Sequence, residues 1–304
     1  MNWNKKGVIF NANNHSNWAY RGAMIPTPIE IDNDTIRLFL TFKDKDGIGR
    51  VGYIDIEKIN LFKIKNISSD PLINIGDPGT FDDNGVLLCS VTKTEANKYH
   101  FYYAGFEIGT KIRYRLLTGL SITDQKFNSI SKYGAPILDR TEEELYFRGG
   151  PFCIFDEGIF KMWYVAGSSW EIIEGKSMPV YEIKYLESTD GINWPKNGVT
   201  CISISDSDEH GFGRPYVIKE KGLYKMFYSI RKRKIGYRLG YAESPDGITW
   251  DRKDKLMNID VSKKGFDNEM ICYSAVMKIN GKLVMFYNGN NFGDTGVGLA
   301  VLED

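Results

Sequence analysis

A short run of aromatic and apolar residues recurs along the chain at a nearly constant spacing. Four of its five copies contain a tyrosine at the same position. The five copies are aligned on Leu40, Tyr103, Tyr164, Tyr228 and Tyr287. The intervals between them are 63, 61, 64 and 59 residues. Self-similarity at a fixed period indicates a repeat architecture, so we interpret the 304 residues as five copies of one unit.

The unit from Gly213 to Trp250 shows its parts most clearly. Three strand-like runs cover Arg214–Lys219, Leu223–Ile230 and Ile235–Glu243, with a Lys-Gly turn after the first. The unit closes on Ser-Pro-Asp-Gly-Ile-Thr-Trp, in which Asp-Gly supplies the positive φ of a tight turn. A second copy of this box spans Ser188–Trp194, and each box leads into a short fourth strand. Four antiparallel strands repeated radially predict an all-β, five-bladed β-propeller.

The two ends of the chain complement each other. The last repeat stops at Val301-Leu302-Glu303-Asp304, where the closing box of the other repeats would begin. Residues 2–8 read NWNKKGV and resemble NWPKNGV at residues 193–199, which lead into a fourth strand. We therefore expect the amino-terminal segment to join the carboxy-terminal blade as its outer strand. This pairing would close the ring and make residues 1–304 a single domain.

Composition restricts the class of partner. The 39 basic and 39 acidic residues cancel, which disfavours bulk binding to nucleic acid. No apolar run approaches the roughly 20 residues of a membrane span, and the amino terminus lacks the apolar core of a signal peptide. We expect a cytoplasmic protein without membrane insertion. The four cysteines lack CxxC spacing and lie in apolar runs, which indicates buried thiols rather than zinc ligands or disulfides.

Several phrases resemble a known group of proteins. They are Phe81–Val86, Ile159–Gly167, Phe266–Tyr273 and the two Ser-x-Asp-Gly-x-x-Trp boxes. Over essentially the whole chain, the sequence resembles the five-bladed β-propeller glycosidases, namely glycoside hydrolase families 43, 32, 68 and 62 and the family 130 phosphorylases. It looks closest to uncharacterised members associated with bacterial surface-polysaccharide biosynthesis. The resemblance implies a carbohydrate ligand at the mouth of a central funnel.

Breaking a glycosidic bond requires a proton donor and a base or nucleophile, normally two carboxylates. Asp83 and Glu269 precede predicted inner strands and are our candidate catalytic pair, with Glu209 as a third acid. The neighbouring Asp82 and Asp267 follow phenylalanine in matching phrases and suit turn caps. The candidate substrate-binding residues at the same face are Arg21, Arg148, Arg214, His210, Arg231, Trp170, Glu171, Tyr273, Trp18 and His15.

The chain departs from the family pattern at two positions. Families 43 and 32 carry an aspartate at the start of the first inner strand, where this chain has Tyr20-Arg21-Gly22-Ala23. The blade expected to supply a glutamate presents Phe147-Arg148-Gly149-Gly150 instead. Arginines are enriched here, and their planar donor fork matches phosphate or carboxylate. The pattern favours an anionic sugar, sugar phosphate or nucleotide sugar; salt bridges within or between blades are the other interpretation of these arginines.

Two classes of function remain open at this point. The first is an enzyme that hydrolyses, phosphorolyses or transfers a glycosyl group, including a phosphorylase similar to family 130. The second is a non-catalytic carbohydrate-binding propeller. We expect no cofactor, because only three histidines occur and His15 and His210 lack the spacing of metal ligands. The residues after Gly167, including Trp170 and Glu171, are expected to form part of a lid over the funnel.

Overall fold

A computed structural model describes residues 1–127 and 129–303; Asn128 and Asp304, which belong to the predicted domain, lie outside the described residues. The chain is almost entirely β-structure. The first strand is β1 (Asn2–Phe10), and the other strands follow as four groups of four and a last group of three, which we call units 1 to 5. Unit 1 contains β2 (Arg21–Glu30), β3 (Thr35–Lys43), β4 (Gly49–Glu57) and β5 (Ile64–Ile67). Unit 2 contains β6 (Val86–Lys93), β7 (Tyr99–Glu107), β8 (Arg115–Thr123) and β9 (Ile130–Lys132).

The remaining units repeat this order. Unit 3 contains β10 (Arg148–Asp156), β11 (Ile159–Ile173), β12 (Lys176–Ser188) and β13 (Val199–Ile202). Unit 4 contains β14 (Glu209–Glu220), β15 (Leu223–Lys232), β16 (Arg238–Ser244) and β17 (Asp251–Arg252), followed by a 3-10 turn at Asp254–Met257. Unit 5 contains β18 (Cys272–Ile279), β19 (Lys282–Asn288), a helical turn α1 (Asn290–Gly293) and β20 (Val297–Glu303). Consecutive strands within each unit pair antiparallel.

Turn chemistry explains where several strands end. β14 and β15 are joined at Lys221-Gly222, which have φ values of 51° and 81°. Positive φ at both central residues defines a type I′ turn, whose twist matches that of the flanking strands. The hairpins of units 3 and 5 turn in the same way, at Glu157-Gly158 and Asn280-Gly281. The X-Gly pairs therefore set the register of three hairpins locally.

Strand position decides burial. The second strand of each unit is covered on both faces, and β7 buries almost every side chain from His100 to Ala104. The fourth strands are short and half-exposed, such as the two-residue β17, which leaves little free edge for pairing with another chain.

The four cysteines are free thiols. Cys89, Cys153 and Cys272 are buried and Cys201 is partly buried, in agreement with the prediction of thiols rather than disulfides. Among the described residues, no helix has the length and apolar character needed to cross a membrane.

The units contact each other in a closed order. The first strands lie side by side from β2 to β6, β10, β14 and β18, and β18 lies against β2. β1 pairs antiparallel with β20, from Asn2 opposite Glu303 to Phe10 opposite Val297, which is the partner that its sequence predicts. Units 1 and 5 are also tied by Asn288, whose side chain accepts a hydrogen bond from Ile25 N at 2.8 Å and donates one to Ala23 O at 2.7 Å.

Candidate functional site

A β-bulge interrupts the first strand of every unit near its beginning. The residues inside the five bulges include Ile25, Cys89, Gly150, Arg214 and Tyr273. Four of them have a positive φ, and for the non-glycine residues this conformation costs roughly 1–2 kcal/mol each. The strained residues occupy equivalent positions in their units, where the first strands lie side by side. Repeated strain at one level of a fold marks a candidate functional site.

Arg214 occupies the centre of this level. Its guanidinium donates to Pro26 O and Thr27 Oγ1, both at 2.8 Å, and to Ser274 O at 3.0 Å. It also reaches Cys89 O at 3.3 Å, so one side chain binds the first strands of units 1, 2 and 5. Burial lowers the pKa of Arg214 to about 10, which still leaves the group charged at neutral pH. No carboxylate of the described residues forms an ion pair with it, and its Nε is buried without a hydrogen bond.

A second buried guanidinium, that of Arg231, lies among tyrosines. Its Nη1 donates to the hydroxyls of Tyr181 at 3.3 Å and Tyr114 at 3.4 Å. The guanidinium also lies 5.9 Å from the ring centre of Tyr181 and 5.5 Å from that of Tyr237. Arg231 is 7% exposed and, within residues 1–127 and 129–303, no carboxylate pairs with it. We call Arg231, Tyr114, Tyr181 and Tyr237 the Arg231 cluster.

Aromatic residues surround the Arg231 cluster. Trp170 packs its ring edge-on to Tyr114, with ring centres 5.8 Å apart, and its Nε1 is buried without a hydrogen bond. The half-buried Tyr273 meets Tyr237 edge-on at 5.9 Å. Burial raises the pKa values of Tyr237 and Tyr273 well above the usual range, so both phenols remain neutral. Neutral hydroxyls can donate hydrogen bonds to an anion.

His210 and Glu171 complete the surroundings. His210 Nδ1 lies 3.1 Å from Pro179 O, which can only accept, so Nδ1 carries the proton in the neutral ring. The pKa of His210 is lowered to about 4, mainly by burial and to a smaller extent by the charges of Arg231 and Arg233. Glu171 pairs with Arg233 of unit 4. This pair lowers the pKa of Glu171 and ties the β11–β12 hairpin, where the sequence predicts a lid, to the loop after β15.

The three candidate acids have different surroundings. Asp83 accepts Gly79 N at 2.8 Å and the side-chain amide of Asn84, so its carboxylate caps its own turn. The buried Glu209 is bound by both terminal nitrogens of Arg252, at 2.7 and 3.1 Å. Glu269 is exposed, and its side chain makes no hydrogen bond or ion pair in the described structure. Its backbone is fixed, because Glu269 N donates to Asn290 Oδ1 at 2.9 Å and Arg238 donates to Glu269 O.

Several predicted site residues serve the packing of the units. Arg148 is buried and pairs with Glu144 at 2.6 Å. Trp18 donates to Ser69 O at 2.8 Å and packs edge-on against Phe42, over the third and fourth strands of unit 1. Arg21 and His15 are exposed. The structure therefore brings together Arg231, Trp170, Tyr273, His210 and Glu171, and it assigns Arg148, Trp18 and Glu209 to internal contacts.

Comparison with known proteins supplies the family. No known protein-family model matches the chain. The uncharacterised protein Rv1502 of Mycobacterium tuberculosis strain H37Rv is 32% identical over 306 residues, covering 100% of both chains. A second M. tuberculosis protein, MT1551 of strain CDC 1551, is 31% identical with the same coverage and is also uncharacterised. The chain belongs to the Rv1502 family.

Solved structures show which known fold this chain resembles. A protein described as a glycoside hydrolase superposes with a TM-score of 0.78 at 19% identity, covering 99% of this chain and 91% of that one. A thermostable family-43 glycoside hydrolase gives 0.68 at 19% identity, with coverages of 93% and 90%. The β-1,2-mannobiose phosphorylase from Listeria innocua gives 0.68 at 13% identity, with coverages of 93% and 90%. At these identities the similarity establishes the fold alone.

Three residues of the Arg231 cluster escape sequence reasoning in this member of the Rv1502 family. Tyr114 and Tyr237 directly precede third strands and Tyr181 lies within one, where an isolated tyrosine suits strand packing equally well. Tyr181 and Tyr237 do occupy equivalent positions in the repeat, and their hydroxyls lie 3.2 Å apart. This recurrence of a tyrosine, together with the basic run Arg231–Lys234 just before Tyr237, is the sequence signal that could have located the cluster. No group of three or more His, Cys, Asp or Glu residues is arranged to hold a metal ion in the described ranges.

Proposed function

We propose that this protein is a carbohydrate-active enzyme of the glycosidase type that cleaves or transfers a glycosyl group of an anionic or phosphorylated sugar. The glycoside hydrolases and the mannobiose phosphorylase that share the fold support a sugar ligand. Following the resemblance of the sequence, the proposal places this activity in surface-glycan metabolism in the bacterial cytoplasm. It requires no cofactor.

The proposal includes the overall architecture. Units 1 to 5 are the five blades of one propeller domain spanning residues 1–304, and β1 closes the ring as the outer strand of unit 5. The closed order of contacts between the first strands supports this arrangement. So does the central guanidinium of Arg214, which binds the first strands of three different units at once. The Arg231 cluster then lies at the mouth of the central funnel.

The observation that carries the proposal is the buried charge of Arg231. Burying a cation without an anion costs several kcal/mol, and proteins normally offset this cost with a carboxylate. Here the partners are the hydroxyls of Tyr114 and Tyr181, which can donate as well as accept hydrogen bonds. A bound phosphate or carboxylate would accept from the guanidinium and from the phenols together. An anionic sugar is therefore the ligand that best completes this cluster.

Glycosyl transfer also requires an acid and a base or nucleophile. Glu269 is our first candidate, because its backbone is held by Asn290 and Arg238 while its carboxylate is free of internal partners. Asp83 is the second candidate, in the turn that leads into β6 of unit 2. We assign no chemical step to Glu209, whose carboxylate is occupied by Arg252. The aromatic rings of Trp170 and Tyr273 are the candidate stacking surfaces for the sugar.

The test measures binding and turnover separately. Calorimetric titrations with sugar 1-phosphates, nucleotide sugars and uronic acids should identify an anionic ligand, and Arg231→Gln should weaken its binding by at least tenfold. Arg233→Gln, two residues further along the chain and just after β15, is the matched control and should change binding much less. Equal affinities of Arg231→Gln and the unaltered protein for every ligand would refute the anion site. Glu269→Gln and Asp83→Asn should retain binding and lose turnover.

A non-catalytic sugar-binding protein is the second candidate function. The exposed Arg21 at the start of β2, where families 43 and 32 carry an aspartate, favours it. Binding that survives in both carboxylate variants, together with no release or transfer of sugar by the unaltered protein, would support this function. A phosphorylase is the third candidate, because inorganic phosphate could itself occupy the Arg231 cluster. Turnover that depends on added phosphate would distinguish the phosphorylase from a hydrolase.

A further inference from the structure

Unit 3 contains a cavity of about 310 Å³ that is separate from the Arg231 cluster. It lies between the segment that leads into β10 and the paired middle parts of β11 and β12. The side chains that matter here belong to Glu143, Leu145, Tyr146, Ser168, Glu182 and Lys184. Its volume is at the lower end of the roughly 300–1,000 Å³ that is usual for small-molecule sites. The cavity can therefore hold a ligand of about one or two sugar rings.

The charged side chains in the buried wall of the cavity are already paired with each other. Glu144 is 1% exposed, and its oxygens accept from Tyr164, from Lys184 Nζ at 3.1 Å and from Gly198 N at 3.0 Å. Arg148 pairs with the same carboxylate. Lys184 is thus committed to Glu144, and the cavity presents no free cation within the described residues. An anionic ligand would meet no partner and would be repelled by the acids.

The open side of the cavity carries groups without partners. Glu143 and Glu182 make no hydrogen bond or ion pair in the part of the chain that the structure describes. Leu145 and Tyr146 are 61% and 38% exposed, which gives the wall an aliphatic and an aromatic surface. Carboxylates accept hydrogen bonds from hydroxyl groups, and an aromatic ring packs against the apolar face of a pyranose. No metal-binding arrangement of acids occurs in residues 1–127 and 129–303, so these carboxylates are not explained by a metal ion.

Gly167 lets the segment before β10 pack closely against β11. A Cβ at this position would lie 2.6 Å from the ring of Phe147 and 3.0 Å from Tyr146 Cβ. Gly167 pairs with Tyr181 of the Arg231 cluster, and the next residue of β12 is Glu182 of the cavity. Side chains alternate along a strand, so the cluster and the cavity occupy opposite faces of one hairpin. The two sites are therefore neighbours, and the unpaired charges beside them have opposite sign.

We propose that this cavity is a second carbohydrate site, which binds a neutral pyranose unit through Tyr146, Glu143 and Glu182. The choice of a sugar as the ligand rests on the proposed function, whereas the existence of the cavity is independent of that function. A protein with both sites would act on a glycan that contains neutral units as well as an anionic one. The cavity would then contribute affinity for the longer ligand without taking part in the chemical step.

The experiment uses neutral sugars alone as probes, in the full-length protein. Saturation-transfer NMR with the methyl glycosides of glucose, galactose and mannose, and with cellobiose, lactose and maltose, should show saturable binding of at least one. Glu182→Gln and Tyr146→Ala should each weaken that binding by about tenfold. Glu142→Gln, an exposed neighbour outside the cavity, should leave it unchanged. Thermal unfolding of each variant checks that the half-exposed substitutions leave the fold intact.

Two further measurements separate the cavity from the anion site. Arg231→Gln should retain neutral-sugar binding even though it loses the anionic ligand, so failure of one proposal is distinguishable from failure of the other. The absence of saturable binding by every neutral probe would overturn the second site, as would binding that survives both cavity variants. Tighter binding of spermidine than of any sugar, lost in Glu182→Gln, would also overturn it and identify a cation site.

Discussion

At the scale of single residues, two arginines without carboxylate partners set the character of the site. The terminal nitrogens of Arg214 donate to main-chain carbonyls, which suits a group that joins three strands. Its planar fork reaches several acceptors at once, which a lysine ammonium on a flexible chain could not match. Arg231 meets only phenol hydroxyls and aromatic rings, and so retains capacity for an anion. The same residue type therefore has a structural role in one case and a proposed binding role in the other.

Arg214→Met should destabilise the protein by about 3 kcal/mol, because it leaves several buried oxygens without donors. The urea midpoint of unfolding is the measurement, with an unchanged slope required for a simple interpretation. Arg233→Met, on a partly exposed arginine, is the control and should cost much less. If the two variants had equal stability, the central role of Arg214 would be wrong.

The two buried histidines should make stability depend on pH. Burial lowers the pKa values of His100 and His210 to about 4, below the value of about 6.5 that an unfolded histidine has. Between these values the unfolded state binds more protons than the folded state, so stability is present above pH 6.5 and is lost as pH falls toward 4. The contribution is on the order of 1 kcal/mol per histidine per pH unit.

The test compares urea unfolding at pH 7.5 and pH 5 for the unaltered protein and for His100→Gln and His210→Gln. Each substitution should reduce the loss of stability between the two pH values. His15→Gln is the matched control, because the His15 side chain is exposed. The explanation would fail if His15→Gln changed the pH dependence as much as the buried substitutions do.

At the scale of elements, a tyrosine in the second strand repeatedly donates to a buried carboxylate. Tyr103 donates to Asp82 at 2.9 Å, and Tyr287 donates to Asp267 at 3.1 Å. A lysine of the fourth strand completes each group, Lys132 in unit 2 and Lys5 of β1 in unit 5, both at 2.6 Å. Tyr164 of unit 3 donates to Glu144 in the same way, whereas Tyr228 of unit 4 donates to the partly exposed Asp254, which follows the fourth strand. In units 2, 3 and 5 the interaction links the segment before the first strand to the second strand.

Unit 1 lacks this interaction because Leu40 stands where the other units have tyrosine. The strand partner of Leu40 is Gly52, and the space above this glycine is filled by Trp18, whose ring would lie 2.5 Å from an added Cβ. In unit 2 the equivalent Gly119 would bring a Cβ to 2.2 Å from the ring of Tyr103. A third-strand glycine therefore lets an aromatic ring lie across the sheet in both units. This packing explains Trp18 without a ligand.

Tyr103→Phe and Tyr287→Phe should each destabilise the protein by roughly 1–3 kcal/mol, because a buried carboxylate loses a donor. The loss should appear in urea unfolding, while the affinity for an anionic ligand stays unchanged. Tyr53→Phe is the matched control, since its hydroxyl contacts no carboxylate in the described chain. A ligand-affinity change as large as that of Arg231→Gln would instead place the buried acids in the binding site.

At the scale of the whole molecule, the amino-terminal strand completes unit 5. β1 pairs with β20 along its length, and Lys5 pairs with Asp267, which is 2% exposed. Trp3 joins the hydrophobic core and meets Phe227 of unit 4 edge-on at 6.4 Å. β1 thus contributes an edge strand, a buried ion pair and an aromatic contact with the preceding unit.

Deleting residues 1–10 should therefore expose the edge of β20 and leave Asp267 without its cation. We expect a large fall in the unfolding temperature and a tendency to associate, measured by calorimetry and by light scattering. A synthetic peptide of residues 1–10 added in trans should partly restore the unfolding temperature. A monomeric deletion variant with unchanged stability would contradict the proposed role of β1 in closing the ring.

The sequence determined the elements and their order. X-Gly turns, apolar runs and the five-fold repeat are local signals, because turn conformation and strand burial depend on residues close together in the chain. They predicted the paired strands and the docking of β1 onto β20. The first-strand bulges and the positive φ of Ile25 and Arg214 carried no such signal.

The tertiary structure alone decided which charged groups are free. Glu209 and Arg148 look like site residues in the sequence, but Arg252 and Glu144 occupy them in the fold. Tyr181 and Tyr237 look like strand residues, yet they come from different units to surround Arg231. Glu144 is only four residues from Arg148, but Arg252 is 43 residues from Glu209 and a few ångströms away in space. Whether a buried charge is neutralised therefore depends on how the chain folds, and the local pattern alone does not encode it.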